Sequence, residues 1–501
     1  MFVDMLRKYL KNLFGMDNAD ERRLRLILFA EMLVFVVVFS YLSILRHNRL
    51  NSAMYDLGLF DQIIWNIAHG RFFESSIKGF NYLGDHFSPV LVLFAPLYWI
   101  WEDVRMLLVA QTVIISFAGY YAGLLSYNLT KDIKVSSAFG LAILGNSNVL
   151  LVVLFDFHPE VITIPLFTYI VYRVTTGDHI KVFIASVAAL AIKEDVAITV
   201  TFTGFAFAIL KKEKKYLLLS LIGSIYFILV MKVFIPYFRP KSFTGDYLYM
   251  ERYSYLGNNI KEVLINIITN PLYPVVKMFK WTKLKVLLRL FYPTMFLSFL
   301  SPAFLIVILP ILYINWIPNY PPQFALKYQY LNIVIPFIIT SSIYGYVRLK
   351  DLLKEKGFLS RNLSLFVTIL MVVFVIGNCI ITHSTVVRFK YFEKNYYEDS
   401  FYEAKKLIPE NASLATANTL GPHFSHRRVI EFHVPFNLHM YHYKRLNLKM
   451  YSDADYQLFL TKGDTSSVPP VLTARIKDLI EKYNYSVIFE RDDILLLRKN
   501  Q

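Results

Sequence analysis

Apolar residues in this chain come in long unbroken blocks, with charged residues gathered at the block edges, a pattern of membrane spans rather than of amphipathic surface helices. Eleven blocks stand out, at 26–45, 104–127, 135–155, 160–175, 180–194, 196–210, 216–236, 285–300, 301–317, 329–347 and 363–382. A helix needs about 20 residues to cross the hydrocarbon core, so several blocks would have to be short or bent spans. The predicted fold class is an α-helical polytopic membrane protein of about eleven transmembrane helices.

One short apolar segment, Ser88 to Trp101, is interrupted by Pro89 and Pro96 and is expected to be juxtamembrane or re-entrant. If it does not cross, Lys131, Lys134, Arg173, Lys181, the run 211–215 and the stretch 348–356 all fall on one side, as the positive-inside rule asks. Residues 1–25 then form a cytoplasmic segment, 26–45 a signal anchor, and 26–383 the membrane domain with outer loops at 46–103 and 237–284. The second loop is rich in tyrosine and charge, from Tyr247 and Tyr249 through Glu251, Arg252, Tyr253 and Tyr255 to Trp281, which suits an interface.

After the last block the pattern changes. Strand-like runs at 413–417, 429–432, 485–489 and 494–497, with a helix-like stretch at 472–482, predict a small extracytoplasmic α/β domain over 384–501. Asn411 and Asn484 lie in N-glycosylation sequons, a pattern that also arises by chance.

Composition agrees with a multi-pass protein of the cell membrane: 55% of the residues are hydrophobic and only 18% charged. The formal charge of +16 lies in short loops beside apolar blocks, where it sets topology and meets anionic lipid, so nucleic acid is not an expected partner. A single cysteine, Cys379, excludes an intramolecular disulfide and a cysteine-based metal cage.

The charged clusters carry the candidate chemistry. An ionised group in the bilayer centre costs about 2.5–3.5 kcal/mol or more, so clusters repeated at block edges point to a polar site at one membrane face. Asp56 and Asp61 follow the first block in a stretch that reads as an interfacial helix with Leu59, Ile63, Ile64 and Ile67 on its apolar side. Asp61 suits a helix cap, and Asp56 either a cap or chemistry. Asp85 and His86 precede Ser88-Pro89, as a proton-transfer pair, a phosphate contact or a plain cap. Asp156, His158 and Glu160 place three ligand-type residues in five positions, a set that would suit manganese or magnesium or simply face water; Pro159 favours an extended His158. Lys193, Glu194 and Asp195 interrupt an apolar stretch, so Lys193 either holds a phosphate or pairs within the tripeptide to close a turn. His423, His426, Arg427 and Arg428 form a basic patch suited to lipid phosphate.

The succession Tyr55-Asp56-x-Gly58-x-Phe60-x-Gln62, Gly84-Asp85-His86-Phe87-Ser88-Pro89, Pro96-Leu97-Tyr98, Asp156-Phe157-His158-Pro159-Glu160, Lys193-Glu194-Asp195 and Pro422-His423-x-Ser425-x-Arg427 resembles the prokaryotic membrane family catalogued as domain of unknown function 2079, DUF2079. That family resembles the type C (GT-C) glycosyltransferases, which take sugars from polyprenyl-phosphate carriers. The resemblance implies a GT-C-like fold, a catalytic carboxylate at Asp56, a second at Asp156, and a polyprenyl-phosphate sugar and membrane lipid as partners. It would also have Lys193, with Arg71 or His86, stabilise the leaving phosphate, while Asp156, His158 and Glu160 position the acceptor or a cation. Neither an Asp-x-Asp around Asp56 nor a Trp-Trp-Asp motif is present. The alternative class is a transporter or flippase of a lipid-linked or anionic substrate.

Overall fold

A computed structural model of the chain describes residues 19–241, 249–278, 280–355, 362–385, 391–433, 453–462 and 469–500. Residues 1–18, and with them most of the N-terminal segment, and Tyr247 of the second loop lie outside these. Every predicted apolar block contains helix. The helices of seven or more residues run in the order α1 (Ala19–Asn48), α2 (Leu59–Ala68), α3 (Arg105–Thr130), α4 (Ile133–Leu144), α5 (Ser147–Val153), α6 (Thr163–Thr175), α7 (His179–Ala189), α8 (Val196–Leu210) and α9 (Leu217–Leu229). They continue as α10 (Ile260–Thr269), α11 (Leu272–Met278), α12 (Trp281–Phe291), α13 (Ile308–Trp316), α14 (Ile335–Glu355), α15 (Leu363–Thr385), α16 (Glu398–Lys406) and α17 (Pro469–Lys482).

Length divides this set. Among the described residues five helical segments are long and apolar enough to cross a membrane, at 19–48, 105–130, 214–238, 321–355 and 363–382. A sixth arises if α4 and α5, bent by 54°, count as one span. Of the roughly eleven expected, five or six helices of the described residues thus have spanning length, and several further apolar helices are shorter. Breaker residues inside the blocks and between them keep these helices short. Asn146 caps α5 by accepting from the Asn148 amide, which ends one helix and starts the next at an angle. Lys193 to Asp195 separate α7 and α8, and at 15 residues α8 reaches only about 22 Å. The proline segment Pro89–Tyr98 holds ten helical residues, too few to cross, as its two prolines predicted.

The C-terminal sheet has the order β2-β1-β3-β5-β4, with β1 (Leu414–Thr416) parallel to β2 (Ile430–Phe432) and β3 (Tyr456–Leu460). β5 (Ile494–Lys499) is antiparallel to β3 and to β4 (Tyr485–Arg491). Four strands lie where the sequence pattern puts them. β3, Tyr-Gln-Leu-Phe-Leu, is buried at all five positions and so lacks the alternation that marks a half-exposed strand.

This sheet does not form a separate core. Leu57, Ile63 and Ile64 of the first loop are packed in one apolar cluster with Phe401, Leu414, Ile430, Leu458 and Leu496. The apolar side of α2, expected to lie on the membrane, is therefore buried against the C-terminal domain, with Ile63 and Ile64 fully inaccessible. Each such side chain contributes about 1.5–3 kcal/mol of burial. Asp61, expected as a cap, is instead a fully buried hub that accepts hydrogen bonds from Tyr98 Oη and Ser425 Oγ. His426 Nε2 lies 3.0 Å from its other contact, Asp61 Oδ2. Burial would lower the His426 pKa, but the Asp61 charge outweighs it and holds the ring protonated to higher pH. Edge strand β2 is finished by the same loop, since Ser76 Oγ accepts from the Ile430 amide at 2.9 Å and donates to its carbonyl at 2.8 Å.

Replacing Asp61 with alanine removes the acceptor of the buried Tyr98 hydroxyl and the link to Ser425 and half-buried His426 of the C-terminal domain. Asp61→Ala is expected to lower stability by about 3 kcal/mol and to open the C-terminal domain to trypsin. Thermal unfolding in detergent with limited proteolysis checks this, and an unchanged melting temperature would contradict the hub.

Candidate active site

Asp56 lies in a widened, π-type turn, Met54–Gly58, that runs directly into α2. A helix start leaves amide donors unpaired, and two distant residues satisfy them here. Asp156 Oδ2 accepts from the Ala53 amide at 2.8 Å, and Asn418 of the C-terminal domain accepts from Met54 through its carbonyl at 2.8 Å and from Tyr55 through its side chain at 3.3 Å. The turn that carries Asp56 is thus clamped from both sides, while the Asp56 side chain keeps 30% exposure.

The partner of Asp56 is His158, whose Nε2 lies 3.2 Å from Asp56 Oδ1. His158 is extended, with φ −142° and ψ 134°, as the following proline requires. Its other ring nitrogen, Nδ1, lies 3.1 Å from the Asp156 carbonyl oxygen. Both nitrogens face oxygen acceptors, so the ring satisfies both only as the doubly protonated imidazolium. Burial lowers the His158 pKa, but the hydrogen bond to Asp56 and the charges of Asp56 and Glu160 outweigh it and raise it above the ordinary histidine value.

Asp156 has no exposed surface and does not reach the open side of the site. Its Oδ1 accepts from Arg46 Nη1 at 2.9 Å, which with the Ala53 amide occupies both carboxylate oxygens. Glu160 turns elsewhere, accepting from Lys193 Nζ at 2.8 Å. Asp156, His158 and Glu160 therefore do not converge on one point, and no group of three or more His, Cys, Asp or Glu placed to hold a metal ion occurs among the described residues. The manganese or magnesium set expected from their spacing has no geometric basis.

The tripeptide 193–195 does not pair internally. Lys193 pairs with Glu160, Glu194 accepts from His86 Nδ1 at 2.7 Å and from the Phe87 amide at 3.0 Å, and Asp195 lies on the wall of a cavity. That cavity is lined by Glu160, Lys193, Asp195, Asn315, Gln329 and Tyr330. His86 is oriented by Glu194 rather than by its neighbour Asp85, so the expected Asp85-His86 pair is absent. Asp85 instead contacts Lys78 Nζ at 2.5 Å and accepts from Tyr249 Oη at 2.8 Å. Burial would raise the Asp85 pKa, but Lys78 and then His86 hold it well below the ordinary carboxylate range. Gly84 is required beside it, because a Cβ there would meet the Phe238 and Arg239 backbone at 2.7–2.8 Å. Arg71 belongs to another neighbourhood, donating to Asn66 at 2.6 Å and lying over the Trp65 ring. The basic patch also separates, with Arg427 donating inward to the Phe424 carbonyl at 2.9 Å and His423 stacked on His47.

Three residues of the site carry no motif of their own. Arg46 was legible as an arginine inside the end of an apolar run, which demands a counter-charge. Lys327 and Tyr328 lie near Asp56 from a turn before α14, and nothing in their surroundings in the sequence marks them.

The fold is similar to that of two crystal structures of ArnT from Cupriavidus metallidurans. The form bound to undecaprenyl phosphate matches with a TM-score of 0.51 at 11% identity, covering 93% of this chain and 98% of that one. The apo form matches with a TM-score of 0.53 at 11% identity over 94% and 98%. At this identity the likeness is one of fold, the GT-C fold. No curated protein sequence matches the chain. The family model described as "Predicted membrane protein (DUF2079)" matches residues 46–496, nearly the whole chain and every motif above, and the protein belongs to that family of multi-pass membrane proteins.

Proposed function

We propose that this protein is a glycosyltransferase that moves a sugar from a polyprenyl-phosphate carrier to an acceptor hydroxyl at the outer face of the membrane. The observation that supports this most is Asp56 itself: a half-open carboxylate in the first loop after the first long helix, held by a protonated histidine, on a fold shared with a protein solved with undecaprenyl phosphate.

The acceptor oxygen bonds to the anomeric carbon as the bond from that carbon to the phosphate oxygen breaks, its electron pair leaving on the phosphate. The acceptor proton passes to Asp56 Oδ2, the oxygen turned away from His158. His158 fixes the direction of Asp56, so the acceptor is oriented before attack. Asp156 is a positioning residue, acting through the Ala53 amide and the His158 ring. The cavity lined in part by Glu160, two residues after His158, carries carboxylates, amides and the Tyr330 ring of the kind that bond sugar hydroxyls, and Glu194, His86 and Asp85 tie down the loop at 84–87. Lys193 already has its charge met by Glu160 and supports this wall, so it meets phosphate only by giving up that partner.

Asp56→Asn is expected to cut transfer by about 10²-fold or more while the protein stays folded. Native mass spectrometry of wild type and variant extracted with their own lipids reads the outcome directly. A polyprenyl-phosphate sugar enriched on the variant supports the transferase and identifies the sugar by mass, whereas only bulk phospholipid on both forms favours transport. Wild-type turnover by the variant rules Asp56 out.

Acidity supplies a second check. Because folding raises the His158 pKa, the Asp56 interaction is fully present below about 6.5 and is lost as pH rises through the higher folded value. Transfer is expected to fall on the alkaline side, with an apparent pKa above 6.5, and His158→Gln to abolish that limb. A wild-type profile flat from pH 6 to about 9 would contradict the imidazolium.

A further inference from the structure

We propose that Lys327, with Arg46 beside it, is the phosphate-binding centre of this site and takes the phosphate of an isoprenoid lipid; the inference rests on the transferase reading above. Lys327 lies between the 3-10 turn Pro321–Phe324 and the 3-10 segment Gln329–Val334 that leads into α14. Its ammonium stands among three aromatic rings, 4.9 Å from the centre of Phe155 and 5.8 Å from those of Tyr328 and Tyr391. Rings attract a cation but cannot hydrogen-bond its three N–H groups as an anion does. Lys327 has no hydrogen-bond or ion-pair partner among the described residues, whereas Arg46, Lys78 and Lys193 each have a carboxylate within 3 Å.

The local charges are unbalanced in the same sense. Arg46, Lys327 and the His158 imidazolium face Asp56 and Asp156, while Glu160, which also acts on His158, has its charge met by Lys193. One anionic charge completes the set, and the bridging phosphate of a carrier-linked sugar brings one. After transfer the carrier is left as a phosphate monoester with a charge of about −1.5 to −2, so an excess of positive charge favours the leaving state over the bound donor. The remaining walls explain the lipid. Arg46 and Lys327 share a small pocket with Leu151, Leu154, Phe155 and Phe392, a surface suited to an apolar chain next to its headgroup. The Phe155 ring joins the two halves, stacking on His158 with centroids 5.7 Å apart while Arg46 and Lys327 lie over it.

The test uses the full chain in nanodiscs, titrated with undecaprenyl phosphate and with undecaprenol, for wild type, Lys327→Met and Lys327→Arg. Lys327→Met is expected to weaken undecaprenyl phosphate binding about tenfold and leave undecaprenol binding unchanged, while Lys327→Arg stays close to wild type. Unchanged undecaprenol binding also certifies a folded variant, and should Lys327→Met fail to fold, Lys327→Gln replaces it. Retention by Lys327→Met of the wild-type preference for the phosphate overturns the proposal and leaves the transferase reading standing. A wild type that binds the alcohol as well as the phosphate overturns both. Competition with inorganic phosphate separates the sources: displacement only at large excess supports the lipid headgroup, and displacement at equal concentration makes this a free-phosphate site.

Discussion

The site depends on one ion pair with almost no access to water, between Arg46 at the end of the first long helix and Asp156 in the loop after α5. Neither charge is tolerable alone in such surroundings, since removing one partner of a buried pair costs about 3–5 kcal/mol. Together they tie two segments far apart in sequence, and the second Asp156 oxygen then reaches the Ala53 amide. Asp156 therefore sets the position of Asp56 through three residues of backbone and the angle of His158 through its own carbonyl. A single residue fixes both members of the dyad, one through its carboxylate and the other through its backbone carbonyl, without touching the space where a substrate would sit.

Around this centre, charge is distributed by pairing across elements rather than within motifs. Lys193 and Glu194, adjacent in sequence, reach Glu160 and His86 on different segments. The Lys193–Glu160 pair buries two charges at a cost that hydrogen bonds must offset, and both contacts join segments far apart in the chain. The polar clusters are the joints of the apolar scaffold as much as its chemistry.

Much of this was legible in the sequence, and what was not has definite causes. Apolar blocks located the helices, and Pro159 fixed the extended His158. Blocks do not reveal every break, however: the interruption at 193–195 was legible as a boundary between two blocks, whereas the cap at Asn146 breaks a stretch that hydropathy reads as continuous. The motifs named Asp56, Asp156 and His158 without saying which of them meet. Three ligand-type residues in five positions read as a metal site, because spacing carries no information about Arg46 arriving from 110 residues away. Asp61 read as a cap for the same reason: its partners Ser425 and His426 lie more than 360 positions later. The amphipathic face of α2 was legible, but amphipathicity alone cannot distinguish a membrane surface from a protein domain.

The shared core of α2 and the C-terminal sheet has a consequence for biogenesis. About 345 residues separate the end of α2 from the first residue of β1, and at ~5–20 residues per second the ribosome needs roughly 20–70 s to make them. Throughout that interval the apolar side of α2 lacks its final cover, and the amides before Asp56 lack Asn418. The turn that carries Asp56 is therefore among the last parts of the molecule to be completed, although its residues are among the first to be synthesised. A chain truncated before the sheet would lack the Asn418 acceptors and the cover of α2, and with them one side of the clamp on the turn that carries Asp56.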